Sequence, residues 1–171
     1  MSDSPISPQT TPDVVQIGLV VRDMEKSMKA YERTLGWGPW NVFVCTEPFH
    51  HDVLLDGAPA QSSMRIATTQ VGGVQLELIE PLEGRSTYTE FLEQHGEGLH
   101  HLLLVRDGDS AGGLLTDLRA QGFRVLQEGG LGGGDCRYQY LDTREELGTI
   151  LETFVGTPES PTYVYPPAPA A

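Results

Sequence analysis

Residues 14–40, VVQIGLVVRDMEKSMKAYERTLGWGPW, contain a strand, a turn and the helix that packs back onto the strand. Val15, Ile17, Leu19 and Val21 alternate with Gln16, Gly18 and Val20, which predicts a strand over 14–21 with one wholly aliphatic face. Asp23 suits an N-cap, because its short carboxylate can accept from amides of the first helical turn. Met24, Ser27, Met28, Tyr31 and Leu35 follow at helical spacing, and Gly36 supplies the left-handed stop. Outward from there come a strand, PWNVFVC (39–45), a loop, TEPFHHDVLLDGAPAQ (46–61), and two strands at 62–70 and 74–80 joined by Val71-Gly72-Gly73. The order is β-α-β-β-β.

The same order recurs downstream. A strand at 99–105 leads to a helix at about 109–121 with Leu114, Leu115 and Leu118 inward and Gly122 ending it, then to strands at 123–128, 136–142 and 148–155. Gly129 through Gly134 read as a flexible connection. Between the copies, Thr87 and Glu90 have capping-box spacing for a linking helix over 87–95. The fold class is therefore α+β, with two tandem βαβββ modules (14–81 and 98–155) that must combine their sheets, since either alone would expose a face. Residues 1–13, rich in Ser, Thr and Pro, read as a disordered arm, 14–157 as the domain, and the Pro/Ala-rich 158–171 as an extended or disordered tail.

Four polar residues stand inside hydrophobic strands and recur as two pairs: Gln16 and His101 in the first strand of each module, Glu77 and Glu152 in the last. Strand parity sets all four opposite the aliphatic, helix-covered face. A buried polar group is costly unless something satisfies it, and an imidazole, two carboxylates and an amide oxygen would be satisfied together by a divalent metal. Taken singly, Gln16 is an ordinary strand residue and Glu77 suits a solvated sheet edge.

The net charge of −13 disfavours nucleic acid and anionic membrane surfaces as partners. No basic region precedes an apolar core at the N-terminus, and no apolar run reaches the ~18 residues of a membrane span. Cys45 and Cys136 then read as reduced thiols, and the expected location is cytoplasmic.

At VVQIGLVVRDMEKSMKAYERTLGWGPW, VQLELIEP (74–81) and FLEQHGEGLHHLLLV (91–105) the chain resembles the vicinal oxygen chelate superfamily, the glyoxalase, bleomycin resistance and dioxygenase proteins, over about 14–155. The resemblance implies a cup-shaped mixed sheet around a divalent metal (Zn, Ni, Co or Mn). By position it carries the ligands over to Gln16, Glu77, His101 and Glu152. This ligand set is that of glyoxalase I of the mammalian type, whereas the sequence around His101 is more similar to methylmalonyl-CoA epimerase, which usually has His where this chain has Gln16. Glyoxalase I has an arginine at the position of Val20, and the epimerase a glutamate in a loop that here reads Glu47-Pro48-Phe49-His50-His51-Asp52.

The implied activity is a metal-dependent epimerase, isomerase or lyase that removes a proton next to a carbonyl, with Glu152, or else Glu77, as base. The implied partner is a small carbonyl compound, acyl thioesters among them, and the implied assembly a homodimer. Two alternatives stand beside it: a non-catalytic cup that sequesters a small molecule, and an extradiol dioxygenase, disfavoured because Gln16 replaces a histidine of the iron triad. Trp40, Phe43, His50, His51 and Tyr138 are candidate pocket residues, while core packing (Trp40, Phe43) and exposed loop polarity (His50, His51) are their plainer readings. His100 reads as a core histidine on the helix-facing side. Arg65 and Arg137 stand within one residue of the cup face, and an anionic substrate would want one of them.

Overall fold

The computed structural model describes residues 11–108, 112–157 and 159–166. The first module comprises β1 (Asp13–Val20), α1 (Met24–Leu35), β2 (Trp40–Cys45), β3 (His50–Leu55), β4 (Ala58–Pro59), β5 (Ser62–Val71) and β6 (Val74–Gly84). Helix α2 (Thr87–His95) leads to β7 (Gly98–Val105), α3 (Gly113–Ala120), β8 (Val125–Leu131), β9 (Arg137–Leu141), α4 (Arg144–Leu147) and β10 (Ile150–Val155), after which β11 (Tyr163–Tyr165) closes the described chain. Residues 1–10 of the expected N-terminal arm, and 109–111 at the expected start of α3, lie outside the described residues. No helix among the described residues is long and apolar enough to cross a membrane.

The strands form one mixed sheet in the order β11-β2-β5-β6-β1-β7-β10-β9-β8-β3-β4. Apart from β3 and β4, the modules lay out their strands in the same order from the centre outward, the first beside the last in parallel (β1 with β6, β7 with β10). The modules meet where β1 and β7 pair antiparallel. The first and last strand of each module thus occupy the four central places, β6-β1-β7-β10, and these carry Glu77, Gln16, His101 and Glu152. Three strand steps span about 14 Å on a flat sheet. The sheet instead curls into a half-barrel, whose concave side these residues face.

Alternation sorts the core into layers. Ile17, Leu19, Val21, Leu76 and Leu78 pack under α1 with Met24 and Met28, and Leu104 and Leu141 pack under α3 with Leu114 and Leu118. Val20, Cys45, Met64, Ile66, Ile79, Tyr138, Tyr140 and Ile150 fill the concave side. Helix α1 begins as expected, with Asp23 accepting from the Lys26 amide at 2.9 Å, and ends at Gly36 with φ 70°.

Four features depart from the sequence reading. The segment expected as a loop over 46–61 contains β3 and β4, and β3 pairs with β8 of the second module. The Gly-rich stretch begins inside β8: a Cβ at Gly129 would meet the Tyr138 hydroxyl at 2.9 Å, so the missing side chain is what lets that ring lie across the strand. The cap of α2 is Ser86 with Thr89, one residue earlier than expected, because Thr87 is held by Gln127 through its amide at 2.9 Å and its hydroxyl at 3.3 Å. Within the Pro/Ala-rich tail, β11 pairs with β2.

Candidate metal centre

The centre is built around the ring of His101, on β7 and fully buried. Gly18 on β1 lies between it and Glu77, in register with both. A Cβ built on Gly18 would overlap the imidazole atoms Cε1, Nδ1 and Nε2, so the ring lies across β1 in the space a side chain would fill. That placement carries His101 Nε2 to 3.4 Å from Glu77 Oε2 on one side and 2.9 Å from Glu152 Oε2 on the other. Glu77 and Glu152 are themselves 8% and 5% exposed.

Neither contact has hydrogen-bond geometry, and Nε2 of His101 and Oε2 of Glu152 are left buried without a hydrogen-bond partner. Buried polar atoms without hydrogen bonds are uncommon, and these two meet only as an ion pair. Donor atoms that share one divalent ion stand roughly 3 Å apart, since each lies about 2 Å from it. The three donors therefore fit a metal by chemistry and by spacing of the orphaned pair. They do not form a finished cage: among the described residues no three His, Cys, Asp or Glu side chains stand in metal-binding geometry. Gln16 is held apart, its amide nitrogen donating to Gln75 Oε1 at 2.6 Å across the β1–β6 ladder.

The electrostatics match this crowding. Burial lowers the His101 imidazole, but Glu152 and Glu77 outweigh it and raise the group to about 9. Burial pushes the Glu152 carboxyl up; His101 pulls it back, and Glu77 pushes it up further.

His100 corrects the sequence reading. In the β1–β7 ladder His101 pairs with Gly18 and Leu99 with Leu19, so His100 is the extra residue of a bulge and alternation breaks there. Instead of the helix-covered face it joins the cluster, its Nδ1 3.0 Å from Nδ1 of His101 and its ring against Tyr88, Phe91 and Tyr140. Two imidazoles joined through Nδ1 need one donor and one acceptor. Burial and the neighbouring His101 keep His100 neutral, while His101, raised to about 9, carries a hydrogen on each ring nitrogen, so His100 Nδ1 is the acceptor. His101 then donates from Nδ1, and its orientation is fixed.

Above the centre opens a cavity of about 360 Å3, walled by Phe43, Phe49, Met64, Ile66, Leu131 and Phe154, with Gln16, Glu77 and Glu152 in its lining. Of the candidate pocket residues, Phe43 and Tyr138 line it. Trp40 does not: three positions from Phe43 on one strand, it must face the other way, and it packs under α1 with Tyr31 and Met28. His50 and His51 lie on β3 beside a second, polar groove. His50 is buried behind the cavity wall, joined to Tyr138 Oη at 2.9 Å and Ser62 O at 2.8 Å, and His51 contacts Gly132 O at 3.0 Å.

Sequence reasoning missed Gln75, Tyr88 and Tyr140, all of which line the cavity. Gln75 shares parity with Glu77, and Tyr140 shares parity with Tyr138 and pairs with Glu152 in register. Tyr88 could be placed only by knowing where α2 docks; its hydroxyl meets that of Tyr140 at 2.8 Å.

Comparison with known proteins agrees with this architecture. The fold is similar to that of a variant of Streptomyces coelicolor methylmalonyl-CoA epimerase in complex with 2-nitronate-propionyl-CoA, at 25% identity and TM-score 0.63 over 89% of this chain and 99% of that one. It is also similar to methylmalonyl-CoA epimerase from Mycobacterium tuberculosis, at 20% identity and TM-score 0.58 over 91% and 95% of the two chains. In sequence it is 34% identical over 89 residues to the uncharacterized protein YqjC of Bacillus subtilis strain 168, a match that covers 52% of this chain and 54% of that one. The chain thus spans about half the length of the curated relative it matches. The family model of the glyoxalase/bleomycin resistance protein/dioxygenase superfamily matches residues 15–140, and the chain belongs to that superfamily.

Proposed function

We propose that the protein is a divalent-metal-dependent epimerase, isomerase or lyase that removes a proton next to a carbonyl group. The observation that carries this reading is the pair of orphaned atoms, Nε2 of His101 and Oε2 of Glu152, buried between two carboxylates at the floor of an apolar cavity. His101, Glu77, Glu152 and Gln16 would hold the ion, Gln16 once released from Gln75. Bound there, a divalent ion acts as a Lewis acid that makes the hydrogen beside a carbonyl more acidic.

The remaining work falls to the chain's own side chains. Glu152 takes the proton once it lets go of the ion: it is a buried carboxylate in the cavity lining, where a bound carbonyl compound would lie. Glu77 stands on the opposite side of His101 and can return a proton from the other face, the arrangement an epimerase needs. The cavity wall shields the intermediate during the transfer, and between turnovers the two carboxylates trade their protons with solvent, so that solvent deuterium reaches the α-carbon.

A second reading is favoured by a specific observation. An imidazolium between two carboxylates is largely compensated without an ion, and Gln16 is already engaged by Gln75. That reading is a non-catalytic binding cup.

Metal analysis joined to proton exchange separates the two. Purified protein should bind close to one equivalent of Zn, Ni, Co or Mn per chain. It should also exchange the α-hydrogen of a carbonyl substrate with deuterated water, and Glu152→Gln should lose exchange while retaining its fold by circular dichroism. Exchange that survives in Glu152→Gln would move the base elsewhere. Less than about a tenth of an equivalent of metal, with none taken up on titration, would leave the binding cup.

A further inference from the structure

We infer that the part of the substrate entering the cavity is uncharged and apolar, a carbonyl compound with alkyl or aryl groups on its α-carbon and no carboxylate, and that Glu159 is the residue that turns carboxylates away. This rests on the proton-abstraction reading and names the substrate class of the same site.

The first argument is the charge inventory of the lining. The cavity wall carries Glu77, Glu152 and Glu159 and, among the described residues, neither Lys nor Arg. The cations nearest in sequence to its wall point the other way. Met64 and Ile66 face the cavity, so Arg65 between them faces out, bonded to Glu80 and, at 2.7 Å, to Glu25. Tyr138 faces the cavity, so Arg137 faces out, 3.6 Å from Asp52. Both arginines that could have received an anion are thus paired on the convex side. The rest of the lining, apolar side chains with neutral groups such as Asn41, Thr68, Gln75 and Tyr140, offers an anion that has lost its water no counter-charge.

A bound divalent ion does not change this conclusion. Glu77 and Glu152 already match its two charges, so a substrate carboxylate would be one anion too many.

Glu159 makes the exclusion local. It lies beyond β10 on the segment that leads to β11 and reaches the cavity together with Gly156 and Pro161. Its Oε1 accepts from the Gly133 amide at 2.6 Å. A Cβ at Gly132 would meet Glu159 Oε1 closely, so the glycine turn is shaped around this carboxylate. Glu159 is exposed, and this bond keeps its negative charge at the rim.

Two thioesters of N-acetylcysteamine, similar in size, test the inference: that of 2-methylbutyric acid, which is neutral, and that of methylmalonic acid, which carries a carboxylate. Calorimetric titration of the full chain, metal-free and zinc-loaded, should show the neutral probe binding at least about tenfold more tightly. In Glu159→Gln, which keeps the acceptor for Gly133 but removes the charge, the gap should narrow by about threefold or more. Equal binding, tighter binding of the carboxylated probe, binding of neither, or an undiminished gap in Glu159→Gln would each overturn the inference. Deuterium incorporation at the α-carbon, read by NMR on the same samples, tests the catalytic reading separately. A neutral probe that binds without exchange sinks that reading alone, whereas preferred exchange of the carboxylated probe sinks only the inference drawn here.

Discussion

Gly18 carries the centre as much as any donor does, because its missing side chain is where the His101 ring lies. Gly18→Ala would force the ring or strand β1 to shift. We expect a loss of about 1–3 kcal/mol in urea unfolding, as for other overpacked cores, together with loss of metal uptake. A variant as stable as the parent that still binds metal would contradict this geometry. His100 acts at one remove, by accepting from Nδ1 of His101. His100→Phe keeps a ring against Phe91 and Tyr140 but removes the acceptor, and metal affinity measured against a chelating dye should fall by about 10–100-fold. Unchanged affinity would make His100 a packing residue only. The four polar positions were legible from strand parity taken together with the repeat and the family resemblance. His100 was not, because a bulge is a local break in the rule by which it was read.

At the scale of elements, the repeat and its helices were legible because each carries its own signal: aliphatic alternation, an Asp cap, a glycine stop. Strand β3 lacked one. HHDVLL follows a Pro-containing turn and has no alternation, and its ladder with β8 depends on a partner far along the chain. Strand β11 was hidden for the same reason, in a segment whose prolines suit a sheet edge better than its interior. Its attachment can be tested directly. The Thr162 amide donates to Val42 O at 2.7 Å and its hydroxyl accepts from the Val44 amide at 3.1 Å. A chain ended after Glu159 should show faster hydrogen exchange at Val44, with the amides of β7 unaffected. Equal protection at Val44 in both chains would show that β11 does not hold the edge.

For the whole molecule, acid is the condition to watch. Burial holds the His50 imidazole below its ordinary range, only partly offset by its bond to the Ser62 carbonyl. Below about pH 6.5 the unfolded chain takes up a proton at this residue that the folded chain does not, so stability falls with falling pH. The loss is at most about 1.4 kcal/mol per pH unit for one imidazole. Urea midpoints should drop between pH 7 and 5, and less so in His50→Gln; equal slopes in the two proteins would assign the acid sensitivity elsewhere. Beyond stability, the way the edges are shared has its own consequence. Strand β3, from the first module, finishes the outer side of the second, and β11, which follows the second, finishes the outer side of the first. The two modules have exchanged borders, so neither can be excised whole. A chimera that replaced one half with a relative's would strand a hairpin without its mate and leave the opposite margin open to self-association. Shuffling of this fold must therefore move segments of both halves at once.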